Sequence, residues 1–68
     1  MTMTPLTSSN LVAAGYEASS QILRIQFKNA TYDYFGVPEF IFQNLLTADS
    51  HGKYHAAHIK NSYHYQRV

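Results

Sequence analysis

The chain has 68 residues with six tyrosines, four phenylalanines and no cysteine; this allows one domain with a single small core and excludes a disulfide framework, a thiolate metal site and thiol redox chemistry. A hydrophobic share of 46% with only 13% charged residues excludes the composition of a disordered chain, and no apolar run approaches the roughly 18 residues of a membrane span. The formal net charge of +1 is too small to imply a polyanionic partner by itself.

Met1 to Asn10 is polar and aperiodic, with neither the basic region nor the apolar run of a signal peptide. Residues 1–7 read as a flexible leader, residues 8–68 as the domain, and the protein as cytoplasmic. Leu11 to Tyr16 reads as a strand of small residues in which Gly15 marks a bulge or a close backbone approach. After the turn Glu17-Ala18-Ser19-Ser20 comes the clearest strand, Gln21 to Lys28, with Leu23, Ile25 and Phe27 on one face and Arg24, Gln26 and Lys28 on the other. Asn29-Ala30 sits where a two-residue hairpin loop belongs. That register sets Phe27 opposite Tyr32 and Ile25 opposite Tyr34, so both tyrosines join the apolar face while Asp33 points away.

Gly36 relieves the turn after this third strand, and Pro38 has the fixed φ of a first helical position. The helix Glu39 to Leu46 then presents Ile41 and Leu45 on one face. Ser50 is a good N-cap for a second helix over residues 51–59, although Gly52 weakens its first turn. The tail Tyr63-His64-Tyr65-Gln66-Arg67-Val68 alternates again and reads as a short edge strand. The expected fold class is α+β: a small antiparallel three- to four-stranded sheet with two helices on one face, in the order β-β-β-α-α-β.

Charge is unevenly distributed. All four acids, Glu17, Asp33, Glu39 and Asp49, precede Ser50, whereas Lys53, Lys60, Arg67 and all four histidines follow it. In this acid-free segment Lys53, Tyr54, Lys60, Tyr63, Tyr65 and Arg67 interleave rings with cations, a pattern suited to stacking unpaired bases while cations follow phosphates. The expected partner is therefore RNA or single-stranded nucleic acid. For Tyr54, Tyr63 and Tyr65 a core or rim role stays equally open.

Other chemistries fit less well. His51, His55 and His58 fall on one helical face, which reads as a solvated, weakly basic surface whose charge grows below about pH 6.5, and neither a metal nor another cofactor is expected. The carboxylates are too scattered to act as an acid–base pair, and no nucleophile constellation is present, so no enzyme activity is expected. The alternative is a protein-binding or self-associating module, since six tyrosines exceed what so small a core can bury and the tail offers a free strand edge.

The ordered set Ser8-Ser9-Asn10, Gly15-Tyr16, the strand ending Phe27, Tyr32-x-Tyr34-x-Gly36-Val37-Pro38, Ser50-x-Gly52-Lys53-Tyr54, Ile59-Lys60 and Tyr63-x-Tyr65 resembles the KTSC domain family from about Ser8 to Arg67, nearly the whole chain. The resemblance implies a small bacterial or phage domain of a type found at the C-terminus of some lysyl-tRNA synthetases, and through that context RNA binding. It implies nothing for the four histidines, which lie outside the family's pattern.

Overall fold

The computed structural model describes residues 1–68 and places them in seven elements: β1 (Met3–Pro5), β2 (Leu11–Glu17), β3 (Ile22–Phe27), β4 (Thr31–Tyr34), α1 (Glu39–Thr47), α2 (His51–His58) and β5 (Tyr65–Arg67). The strands form one antiparallel five-stranded sheet in the order β1-β2-β3-β4-β5. The fold is α+β as expected, with one more strand. The leader, expected to be flexible, contributes it: Met3, Thr4 and Pro5 pair with Gly15, Ala14 and Ala13. Sequence periodicity could not reveal a strand of three residues. Pairing onto the backbone of β2 holds it, and Leu6 N–H extends the contact by donating to the Val12 carbonyl at 3.0 Å.

Gly15 shows why β2 carries small residues. A side chain there would lie 2.7 Å from the Met3 sulfur and 2.8 Å from the Thr2 carbonyl, so the close backbone approach read from the sequence is the packing of β1. The bulge lies earlier, where the register shifts between Leu11 and Ala13. The extra residue turns Leu11 onto the same face as Ala14, Leu23 and Ile25. These residues form one core with Tyr34, Val37, Ile41, Leu45 and Ile59. Both helices therefore lie on a single face of the sheet.

The β3–β4 register differs by two residues from the expected one. Ile25 faces Tyr32 and Leu23 faces Tyr34, because Lys28-Asn29 forms the loop and Phe27 N–H bonds the Ala30 carbonyl at 2.7 Å. Lys28 thereby leaves the ladder with β4, and its N–H instead donates to the Asn10 carbonyl at 3.2 Å. Because strand faces repeat every two residues, the slip keeps Tyr32 and Tyr34 on the apolar face. Asp33 points to the other face, where Arg24 grips it in a two-pronged ion pair at 2.7 and 3.0 Å.

Gly36 adopts φ +69 at the exit of β4, a conformation that favours glycine. Pro38 caps α1 rather than opening it, with ψ 149; its extended backbone turns the chain before Glu39. The Tyr16 hydroxyl donates to the Val37 carbonyl at 2.6 Å, and its ring stacks on Phe42 at 5.5 Å, so the loop and α1 are tied to β2 together. Ser50 caps α2 as expected, accepting from Lys53 N–H at 3.2 Å.

Candidate nucleic-acid interface

The second helix has one large aliphatic contact, Ile59 at its C-cap, which is fully buried. Stepping back four and seven residues from Ile59 brings His55 and Gly52 to the same side of the helix. His55 is accordingly buried, and the expectation of a solvated histidine face is corrected. The three histidines have separate surroundings. His51 bonds the Thr7 and Leu46 carbonyls at 3.1 and 3.4 Å, His55 enters the core, and exposed His58 lies 4.6 Å from the Tyr54 ring.

His55 sits among aromatic rings on the helix side of the sheet. Its Nε2 is 2.9 Å from the Tyr34 hydroxyl, and its ring packs edge-on to Phe27 at 5.1 Å and Tyr34 at 5.7 Å. Neither hydroxyl nor imidazole has a second partner within the protein. If the phenol donates, both groups are used, and the imidazole is neutral with its proton on Nδ1. Burial raises the Tyr34 hydroxyl's pKa to about 12. Burial, and secondarily the Lys60 ammonium, lower that of His55. Both shifts favour the neutral, hydrogen-bonded pair.

This pairing makes stability depend on pH. The unfolded chain protonates His55 near its ordinary pKa of about 6.5, whereas the folded chain takes that proton only at lower pH. The unfolded state therefore binds more protons in between, so the contribution is complete above about pH 6.5 and declines as pH falls through the folded pKa. Thermal melts of the wild type should show the midpoint dropping on acidification, with a shallower drop for His55→Gln. Parallel profiles for the two proteins would contradict the assignment.

Above this pair β5 completes the aromatic cluster. Tyr65 lies opposite Tyr34, and Arg67 opposite Tyr32. The Tyr65 ring is 5.6 Å from that of Tyr32 and 5.7 Å from that of Tyr34, yet the residue remains 53% exposed. Around these rings opens a cleft of about 460 Å³, walled by α2 at Gly52, His55 and Ala56, and rimmed by three loops carrying Ser8 to Asn10, Asn29, and Lys60-Asn61. That volume lies in the range of small-molecule sites. The lining contains Lys60 and no carboxylate.

A family model for the KTSC domain matches residues 7–63. The chain belongs to the KTSC domain family. It is 45% identical over 53 residues to a protein of Tsukamurella paurometabola, covering 76% of this chain and 79% of that one. It is 40% identical over 65 residues to an uncharacterized protein of Stutzerimonas stutzeri, covering 93% and 92% respectively. The fold superimposes on the crystal structure of a KTSC domain protein from Yersinia pestis with a TM-score of 0.95 and 34% identity, over 98% of this chain and 96% of that one.

Within this KTSC domain the six residues singled out from the sequence separate into groups. Lys60 and Tyr65 line the cleft. Arg67 is exposed and, by strand alternation, shares the face of Tyr65. Lys53 is exposed in the first turn of α2 but outside the cleft lining. Tyr54 and Tyr63 are half-buried against the core. The question left open for the tyrosines thus divides: Tyr54 and Tyr63 support the core, whereas Tyr65 presents a ring to solvent.

Sequence reading missed Asn29, Asn61, His55 and the Ser8 to Asn10 loop as members of one site. A signal existed for His55 in its spacing from Ile59. The Ser8 to Asn10 loop carried only the family resemblance, and Asn29 and Asn61 carried no signal, because the long-range pairing of the strands is what brings the loops together.

Proposed function

We propose that this KTSC domain is a non-catalytic module that binds single-stranded nucleic acid, RNA foremost, through the cleft face. The observation that carries the reading is the half-exposed Tyr65 ring beside an aromatic floor in a cleft whose lining also holds Lys60, with the exposed cation Arg67 two residues along the same strand. An exposed ring stacks any unpaired base, and neighbouring cations meet the phosphates on either side. Neither Lys60 nor Arg67 is spent on an ion pair, because the molecule's carboxylate contact engages Arg24. The family's implied place at the C-terminus of lysyl-tRNA synthetases points the same way, and a cytoplasmic location suits such a partner. No helix is long and apolar enough to cross a membrane.

A protein-binding role is the second reading, favoured by Phe40, which stands 61% exposed on α1. Exposed aromatic side chains are common anchors of protein interfaces. The two readings use different surfaces.

The test is fluorescence anisotropy with labelled single-stranded RNA at several salt concentrations. Binding should weaken with salt, by about 0.7 in log–log slope for each phosphate contact. Lys60→Ala or Arg67→Ala should lower that slope by about one contact. Tyr65→Ala should weaken binding by about 1–3 kcal/mol while leaving the slope in place. A folded protein with no affinity at low salt would overturn the proposal.

A further inference from the structure

The lining of the cleft is chemically more selective than a stacking surface requires. Asn10, Asn29 and Asn61 reach it from three different loops, and none of their side-chain amides is used in a hydrogen bond within the protein, whereas the neighbouring Ser8 hydroxyl accepts from both Asn10 N–H and Leu11 N–H at 3.3 Å. An amide carries both a donor and an acceptor, so two of them can match the mixed edge of a planar heterocycle. His55 adds a third polar group. Its Nε2 is engaged by Tyr34, and since no buried side-chain nitrogen or oxygen lacks a partner, its free Nδ1 is open to solvent.

Charge narrows the ligand class further. One ammonium, that of Lys60, and no carboxylate face the space, which fits a ligand bearing a single phosphate. A neutral sugar or peptide makes no use of that cation, and a bare anion makes no use of the aromatic floor.

We propose that the cleft holds one nucleotide unit, with its base over the aromatic floor, its edge read by Asn29 and Asn61, and its phosphate met by Lys60. This rests on the nucleic-acid reading and deepens it: the strand is gripped weakly along Tyr65 and Arg67, while one splayed-out base is selected. A free nucleoside monophosphate and a nucleotide within a strand present the same chemistry.

The experiment is titration of the 15N-labelled protein with each of the four ribonucleoside 5′-monophosphates, with inorganic phosphate, and with a single-stranded RNA oligonucleotide, following the side-chain amide resonances of Asn29 and Asn61. At least one monophosphate should give saturable shifts at both asparagines that phosphate alone does not reproduce. Asn61→Ala should weaken that ligand about tenfold, as expected for a lost directional hydrogen bond. Ala56→Trp tests the cavity itself. Ala56 is an exposed residue of the helix wall, so the added ring should fill the cleft and abolish monophosphate binding without lowering the melting temperature.

If RNA binds but every monophosphate fails to shift these resonances, or if phosphate alone reproduces the shifts, the single-nucleotide site is overturned while the strand-binding function stands. If RNA also fails to bind, both fall.

Discussion

Replacing Tyr34 by alanine is expected to remove about 3–5 kcal/mol of stability, the range for truncating a buried large aromatic side chain. The residue is 4% exposed and contributes to the core through β4 while its hydroxyl meets His55 at 2.9 Å. A domain of this size has few kcal/mol to spare, so the variant should be largely unfolded at room temperature. Tyr34→Phe separates the two contributions. It keeps the ring and leaves His55 Nε2 without its partner, a loss of about 1–3 kcal/mol. Tyr65→Ala, on the neighbouring strand but half-exposed, should cost far less than Tyr34→Ala. Urea unfolding of the three variants orders them, and an unchanged midpoint for Tyr34→Ala would show that the ring lies outside the core.

Ile59→Ala should be the second large effect, at about 2–5 kcal/mol. Ile59 is fully buried and belongs to the core cluster, and it is the large aliphatic anchor that seats the C-terminal end of α2. The adjoining turn is tied to the same place, since Lys60 N–H and Ile59 N–H both donate to the His55 carbonyl at 2.9 and 3.0 Å. Losing the anchor therefore loosens one wall of the cleft together with Lys60. Amide exchange should report reduced protection in α2 beyond that of β2 and β3, because local opening is governed by local packing. Uniform loss across the sheet and both helices would show that α2 has no separate docking step.

The legible parts of the fold were those with strong period or cap chemistry. The alternation of Leu23, Ile25 and Phe27 identified β3 and its buried face, and Ser50 announced α2. The alternating tail supplied β5, in a shorter form. What escaped the sequence was decided by pairing across distance. β1 exists because Gly15 and Ala14 let a short strand lie close, and the hairpin with Lys28 in its loop goes together with the bond from Lys28 N–H to the distant Asn10 carbonyl. Neither contact has a local signature.

The same division holds for the site. The mixture of ring and cation in the last third drew notice to Lys60 and Tyr65, which line the cleft, and equally to Tyr54 and Tyr63, which pack against the core. Composition cannot tell a ring that supports α2 from one that faces water. The floor of the cleft comes from Phe27, Tyr32 and Tyr34, which strand alternation had placed in the core. They serve both roles because the cluster thins toward β5, where the sheet ends and no helix covers Tyr65.

The central claim is that single-stranded nucleic acid binds on the cleft face. Its most direct test is a backbone amide map of the 15N-labelled protein titrated with a short single-stranded RNA. The account predicts shifts concentrated at Ser8 to Leu11, Asn29, Tyr32, His55, Lys60, Asn61 and Tyr65, with α1 around Phe40 unaffected. Shifts centred on Phe40, or none at all at low salt, would contradict it.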